Sequence, residues 1–179
     1  MDASTPLALV VVAGPQASGK STLAASLSAT LREDGERVAL VELDQIAAMA
    51  LPTLPGWETA HHIFESVTGL WAHAELTCVI AEGSGSHDEV ARLLDQAPPG
   101  SVTVTVVTTC PFEVAFARAQ ADPTRGISKE HRFLSRVYQR WAAERAKIGA
   151  DIVVDTNAVT LAQGVERVRA AIAAARDAH

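Results

Sequence analysis

Residues 14–21 read Gly-Pro-Gln-Ala-Ser-Gly-Lys-Ser, which fits the pattern G-x-x-x-x-G-K-[ST] of a phosphate-binding loop. An apolar, β-branched run at residues 7–13 precedes the loop and is typical of a buried parallel strand. Leu23, Leu27 and Leu31 follow it at a spacing of four, which predicts a helix with one buried face. Strand, glycine loop and helix in this order are the context in which the motif binds phosphate. The sequence therefore predicts a nucleoside triphosphate site.

The residue types of the loop suit this chemistry. Glycines let successive backbone N–H groups point inward at the start of a helix, whose dipole favours anions. Lys20 is expected to reach the β- and γ-phosphates, and the Ser21 hydroxyl to bind Mg²⁺. We therefore expect ATP and Mg²⁺ as cofactors. The expected nucleotide contacts of the loop are Gly14, Pro15, Gln16, Ala17, Ser18, Gly19, Lys20, Ser21 and Thr22.

Length and charge limit the classes of function. With 179 residues, of which 48% are hydrophobic, the chain is most simply one globular domain, residues 1–179. A formal net charge of −6 argues against a nucleic-acid partner. The N-terminal apolar run is too short to cross a membrane, and residues 2–6 lack the basic start of a signal peptide. We expect a cytoplasmic protein without a membrane partner, either a monomer or a homodimer.

The rest of the chain alternates between predicted strands and helices. Runs typical of strands follow at residues 37–42, 77–81, 102–108 and 151–154. Helical patterns lie between them, including one at about residues 57–75. This alternation predicts a three-layer α/β domain, with a five-stranded parallel sheet and helices on both faces. The glycine loop then lies at the carboxyl edge of the sheet, where such sheets bind ligands.

On its glycine loop and its order of elements, the chain resembles the small P-loop kinases. This group includes shikimate kinase, gluconate kinase, chloramphenicol phosphotransferase and the kinases of capuramycin-type antibiotics. The end of the second strand often reads D-x-D in the group, and here it reads Glu42-Leu43-Asp44. The resemblance implies that Asp44 approaches the acceptor hydroxyl as base or orienting group, and that Glu42 lies near the metal. An N-cap of residues 45–48 is the alternative role for Asp44.

The end of the third strand carries a second acidic residue. Glu82-Gly83-Ser84-Gly85 resembles the segment where the group holds a metal-associated acid and substrate-contacting glycines. The resemblance implies that Glu82 holds Mg²⁺ through water, and that Gly83 and Ser84 lie near the substrate. A strand-end carboxylate that faces solvent is the alternative for Glu82.

The resemblance also implies a nucleotide-side arginine, Arg118, and a short lid at about residues 121–130 with Arg125. An arginine can stabilise the charge of the transferred phosphoryl group, and a closed lid excludes water. Asn157 belongs to a segment that resembles the one flanking adenine in the group. The residues expected to act in catalysis are therefore Asp44, Lys20 and Arg125.

The absence of Lys and Arg from one segment of the chain predicts the charge of the acceptor. All fifteen Lys and Arg residues fall outside residues 38–91, which include the expected acceptor region at about residues 44–75. The kinases of the group resemble one another in clamping anionic substrates with arginines. We therefore expect a neutral or cationic acceptor, for example an antibiotic or a nucleoside-like compound. A metabolic sugar or nucleoside kinase and a non-catalytic regulatory module are the alternatives.

Three side-chain types remain as candidate acceptor contacts. Trp57 begins an aromatic pattern with a period of seven, completed by Phe64 and Trp71, which favours a core stripe over a stacking platform. His61 is a candidate pocket residue; its spacing from the adjacent histidine does not fit a zinc site. Arg136 lies in a helical stripe with Arg132 and Arg140, a pattern that favours a solvated face with only its loop-proximal end near the phosphates. Arg136 can nevertheless fold over the acceptor.

Overall fold

A parallel sheet forms the centre of the computed structural model, which describes residues 5–54 and 56–179. Within these ranges the strands are β1 (Ala8–Ala13), β2 (Val38–Glu42), β3 (Cys78–Glu82), β4 (Val102–Thr109) and β5 (Ile152–Asp155). Neighbouring strands pair in parallel, in the order β2-β3-β1-β4-β5. The predicted five-stranded parallel sheet is confirmed. Residues 2–4, which were considered above for a signal peptide, and Pro55 of the expected acceptor region lie outside the described residues.

Helices cover both faces of this sheet. In the described ranges they are α1 (Lys20–Glu33), α2 (Leu43–Ala48), α3 (Trp57–Ala72), α4 (His87–Leu94), α5 (Phe112–Ala121), α6 (His131–Arg145) and α7 (Leu161–Asp177). A 3₁₀ turn, Ile127–Lys129, lies between α5 and α6.

The two cores follow from the alternation of side chains along β1, whose residues are all buried. Val10 belongs to a core that includes Leu27 of α1 and Val168 of α7. Its neighbour Val11 belongs to the opposite core, which includes Phe64 of α3. A strand buried on both faces needs a continuous apolar sequence, and residues 8–13 provide it. The predicted three layers are confirmed.

The register of the strands places their carboxyl ends side by side. Glu82, the last residue of β3, pairs with Glu42 of β2 on one side and with Val12 of β1 on the other. The glycine loop begins two residues after Val12. Both predicted acidic strand ends therefore lie at the same edge of the sheet as the loop.

The structure excludes one alternative and overturns one prediction. Glu42 occupies the N-cap position of α2, so Asp44 lies inside the first helical turn and does not cap the helix. In this position the positive end of the helix dipole still stabilises its carboxylate. The aromatic pattern of α3 is not a core stripe, because Phe64 is fully buried whereas Trp57 and Trp71 are 48% and 47% exposed.

Candidate active site

The glycine loop turns from β1 into α1 and is fixed by the end of β4. A Cβ at Gly14 would lie 2.3 Å from the Thr108 hydroxyl and 2.8 Å from the Thr108 carbonyl oxygen, so only glycine permits this approach. Ser18 is buried, and its Oγ lies 2.7 Å from Thr108 Oγ1. Ala17 takes a left-handed φ of 61°. The loop is thus held in a curled conformation before a helix start that favours anions.

Lys20 extends its ammonium group between the glycine loop and the end of β3. Nζ donates a hydrogen bond of 3.1 Å to the carbonyl oxygen of Pro15 and lies 3.7 Å from Glu82 Oε1. The side chain is 11% exposed, so its charge is poorly screened by water. A phosphate in the loop would be a stronger partner than either oxygen. The predicted contact with the β- and γ-phosphates fits this position and stays a prediction.

The strand-end carboxylates influence one another. Burial raises the pKa of Glu82 to about 7; Lys20 opposes this rise, whereas Asp44 and Glu42 add to it. We regard burial as dominant here, because the nearby ammonium is also shared with a carbonyl group. Burial, together with the charge of Asp44, also raises the pKa of Glu42. The three carboxyl groups therefore influence one another's charge, and one of them, Glu82, lies beside Lys20.

This donor set fits Mg²⁺. Ser21, Glu42 and Glu82 supply oxygen atoms, which Mg²⁺ prefers, and the Ser21 hydroxyl is close enough to favour the charged form of Glu82. In the described residues, no three or more His, Cys, Asp or Glu side chains lie close enough together to hold a metal on their own. Mg²⁺ usually keeps several waters and binds few protein ligands beside substrate phosphates. The arrangement is thus suited to a metal that arrives with a nucleotide.

A cleft of about 720 Å³ opens at this edge of the sheet. It brings together predicted residues from the loop, the acceptor region and the lid. They are Gly14, Pro15, Gln16, Lys20, Asp44, Trp57, His61, Glu82, Gly83, Ser84 and Arg125. The predicted residues that do not line it are Ala17, Ser18, Gly19, Ser21, Thr22, Glu42, Arg118, Arg136 and Asn157.

The end of the cleft that is predicted to bind the acceptor is formed by α2 and α3. Asp44 is exposed in the first turn of α2. Trp57 and His61 lie one turn apart on α3 and so share a face of this helix. The aromatic ring, the imidazole and the carboxylate all line the cleft, and His62 does not.

The predicted lid segment carries a preformed turn. Asp122 accepts hydrogen bonds from the backbone and the hydroxyl of Thr124, at 2.9 and 2.7 Å. Its carboxylate also lies 3.3 Å from Nε of Arg125. These partners lower the pKa of Asp122, chiefly through Thr124. Arg125 is therefore held at the cleft by its own loop.

Helix α6 contributes different residues from those expected. Arg140 lines the cleft, together with Trp141 and Glu144, whereas Arg136 does not. The loop-proximal end of the stripe at Arg132 does not line it either. The arginine of α6 that lines the cleft is thus one turn beyond Arg136.

A second cavity, of about 260 Å³, lies on the other side of the glycine loop. Gly19, Thr22 and Arg118 line it. The guanidinium group of Arg118 donates hydrogen bonds to Oγ1 and the carbonyl oxygen of Thr156, at 2.8 and 3.0 Å. Asn157 is exposed and lies outside this cavity. The space beside the loop suits a nucleotide base.

A comparison with known protein families shows to which family the chain belongs. The AAA_33 family model, described as an AAA domain, matches residues 9–128. The match covers more than half of the chain and contains the glycine loop, both acidic strand ends and Arg125. The chain belongs to this AAA-domain family. No curated protein matches the sequence of this AAA-domain protein.

Solved structures of small kinases share the fold of the AAA-domain protein. A gluconokinase from Sinorhizobium meliloti is 19% identical with a TM-score of 0.66, over 97% of this chain and 95% of that one. A shikimate kinase from Bacteroides thetaiotaomicron is 16% identical with a TM-score of 0.65, over 91% and 97%. A sugar kinase from Janibacter sp. is 22% identical with a TM-score of 0.64, over 96% and 98%. The expected small P-loop kinase family and fold are confirmed.

No helix in the described part of the AAA-domain protein is long and apolar enough to cross a membrane. Sequence reasoning missed Glu89 as a residue of the site and left open whether Arg132, Arg136 or Arg140 reaches it. Ser86 and Glu89 have the spacing of a capping box, and the Ser86 hydroxyl accepts from the Glu89 backbone N–H. The Glu89 carboxylate, however, turns to Ser84 and His61.

Proposed function

We propose that this AAA-domain protein is a kinase that transfers the γ-phosphoryl group of ATP to a hydroxyl group of a small neutral or cationic molecule. One observation carries the proposal. Lys20 of the glycine loop and Asp44 of the acceptor region line a single cleft, and the segment 38–91 contains no Lys or Arg that could line it. Phosphoryl transfer depends mainly on positioning and on charge stabilisation, which this cleft can provide.

Asp44 would act on the acceptor. Its exposed carboxylate lines the cleft and can accept the hydroxyl proton as the acceptor oxygen attacks phosphorus. The new bond joins that oxygen to the γ-phosphorus, and the bond from this phosphorus to the bridging oxygen breaks and leaves ADP. Water must be excluded during this step, and we assign that role to the lid with Arg125.

Cationic groups would bind the phosphates. Lys20 lies at the glycine loop, Arg125 in the lid and Arg140 on α6, and all three line the cleft. Ser21, Glu42 and Glu82 would hold Mg²⁺, directly or through water. When bound, Mg²⁺ supplies further neutralisation of the phosphate charge. The protein groups then orient the nucleotide so that its γ-phosphate faces Asp44.

The choice of acceptor class rests on charge. Gluconate and shikimate, named by two of the related structures, are carboxylates. The acceptor end of this cleft instead combines Asp44 with Trp57 and His61. Such a surface favours an acceptor with an apolar or ring-shaped part and no negative charge. An antibiotic of the chloramphenicol or capuramycin type is one candidate, which would make the protein a resistance enzyme; a sugar or nucleoside is the other.

The test is ATP consumption with Mg²⁺ against neutral, cationic and anionic hydroxyl compounds, including nucleosides, sugars and antibiotics. We expect acceleration by a neutral or cationic compound, and a mass gain of one phosphoryl group in it. Acceleration by anions alone would contradict the acceptor class. Tight ATP binding without any acceptor-dependent turnover would favour a regulatory module. The Lys20→Ala variant is the control for contaminating kinases.

A further inference from the structure

The acceptor end of the cleft contains a histidine held by a buried acid. Glu89 of α4 is 1% exposed, and its Oε2 contacts Nδ1 of His61. His61 lines the cleft, whereas Glu89 lies behind it. The pair therefore joins the interior of the protein to the surface on which the acceptor would lie.

The hydrogen bonds of Glu89 define its role as an acceptor. Its Oε1 accepts from the backbone N–H of Ser84 at 2.7 Å and of Gly85 at 3.2 Å, and from the Ser84 hydroxyl at 3.1 Å. Three donors thus converge on one oxygen, and the second oxygen turns to His61. A carboxylate that only accepts requires Nδ1 of His61 to donate.

The hydrogen bond at Nδ1 fixes the other ring nitrogen. In a neutral imidazole with its proton on Nδ1, Nε2 carries a lone pair and accepts hydrogen bonds. Among the described residues, Nε2 has no protein partner within hydrogen-bond distance. Asp44 and Trp57 line the same cleft, so a molecule on the Trp57 ring could contact the Asp44 carboxylate and Nε2 of His61.

Resting on the proposed function, we propose that His61 is a specificity residue whose Nε2 accepts a hydrogen bond from a second hydroxyl or N–H group of the acceptor. Glu89 is its positioning residue. The substrate class is therefore a molecule with at least two hydrogen-bond donors, one for Asp44 and one for His61. A simple alcohol satisfies only the first and leaves Nε2 without a partner, which lowers its rate of phosphorylation.

The first experiment measures the tautomer without any substrate. In protein labelled with ¹⁵N-histidine, we expect the neutral His61 ring to show a protonated Nδ1 and an unprotonated Nε2 by NMR. Glu89→Gln keeps an oxygen for Ser84 and Gly85 but presents an amide donor to Nδ1, so the proton should move to Nε2. A wild-type ring protonated on Nε2, or an unchanged tautomer in the variant, would overturn the proposal.

The second experiment measures recognition of the compound found in the acceptor panel. We compare this compound with its analogues that each lack one hydroxyl or N–H group. In the wild type, one such deletion away from the phosphorylated group should lower kcat/KM about tenfold or more. In His61→Asn, which keeps a donor for Glu89 but lacks Nε2, the same deletion should have less than about a threefold effect.

His62→Asn is the matched control, because the adjacent histidine is exposed and lies outside the cleft. It should behave as the wild type. Equal effects of the deletion in the wild type and His61→Asn would overturn the role of His61. If no compound is phosphorylated, the proposed function fails, whereas the tautomer measurement still decides whether His61 is set as an acceptor.

Discussion

At the residue scale, Asp44 is the side chain on which the proposed reaction depends. Because it is exposed and does not cap α2, its replacement should leave the fold unchanged. We expect Asp44→Asn to lower kcat about 10²- to 10⁴-fold, since the amide cannot accept the hydroxyl proton. ATP affinity and thermal stability should stay near those of the wild type. Asp177→Asn, at the end of α7, is the control, and full activity in Asp44→Asn would exclude Asp44 as the base.

Glu82 gives a pH-dependent prediction at the same scale. Its pKa rises from 4.5 to about 7 in the folded protein, so the folded state holds a proton that the unfolded state has lost between these values. The free energy of unfolding of the ligand-free protein should therefore fall as pH rises through this window, by about 3 kcal/mol in total. Urea unfolding at several pH values measures this slope. In Glu82→Gln, the free energy of unfolding should fall less with pH, by the amount of this contribution. Equal slopes in the wild type and the variant would refute the prediction.

At the element scale, the glycine loop depends on the loop after β3. Gly85 has a φ of 82°, and a Cβ there would lie 2.8 Å from the backbone nitrogen of Gly14. Gly100 has nearly the same φ, 81°, but nothing lies within 4 Å of its Cβ position. Both Gly→Ala variants carry similar backbone strain, about 1 kcal/mol or more. Only Gly85→Ala should also displace the glycine loop and weaken ATP binding, as measured by calorimetry; equal ATP affinities would contradict this.

The lid gives a second prediction at this scale. Arg125 is held at the cleft by Asp122, so its guanidinium group is available to the transferred phosphoryl group. Arg125→Ala should lower kcat about 100-fold or more, with a smaller effect on the unfolding free energy. Arg132→Ala removes an exposed arginine outside the cleft and should leave kcat within about twofold. Similar rates for both variants would remove the lid arginine from the mechanism.

The elements were predictable because their signals are local. The apolar run of residues 8–13 and the spacing of Leu23, Leu27 and Leu31 each report one strand or one helix face. The exposure of Trp57 was not predictable from the spacing of seven residues between the aromatic side chains of α3, because such a spacing does not say which neighbours cover that face of the helix.

The site was predictable only where it is continuous in sequence. The glycine loop is one motif, and the strand-end acids follow from the order of strands. The contact of His61 with Glu89 spans 28 residues, and the position of Arg140 depends on how α6 crosses the cleft. Such contacts depend on packing between helices, which no local pattern encodes.

At the scale of the whole molecule, nucleotide binding should raise thermal stability. A ligand at a concentration of about 100 times its Kd stabilises the native state by about 2.7 kcal/mol. For a chain of this length we expect a rise in Tm of about 5–10 °C with ATP and Mg²⁺. Lys20→Ala should show a much smaller shift, because the ammonium group at the loop is lost. An equal shift in the variant would place the nucleotide elsewhere.

The segment without Lys or Arg also makes the charge along the chain uneven. Residues 38–91 contain eight acidic side chains, and the rest of the chain contains fifteen basic and thirteen acidic ones. Strands β2 and β3, at one edge of the sheet, and helices α2 and α3 form a flank that carries acidic side chains and no Lys or Arg, although Glu65 is paired with Arg92 of α4. A cationic acceptor would be steered towards this flank during diffusion, whereas ATP would be repelled from it. Added salt should therefore slow the encounter with such an acceptor and ease the approach of ATP over the same surface.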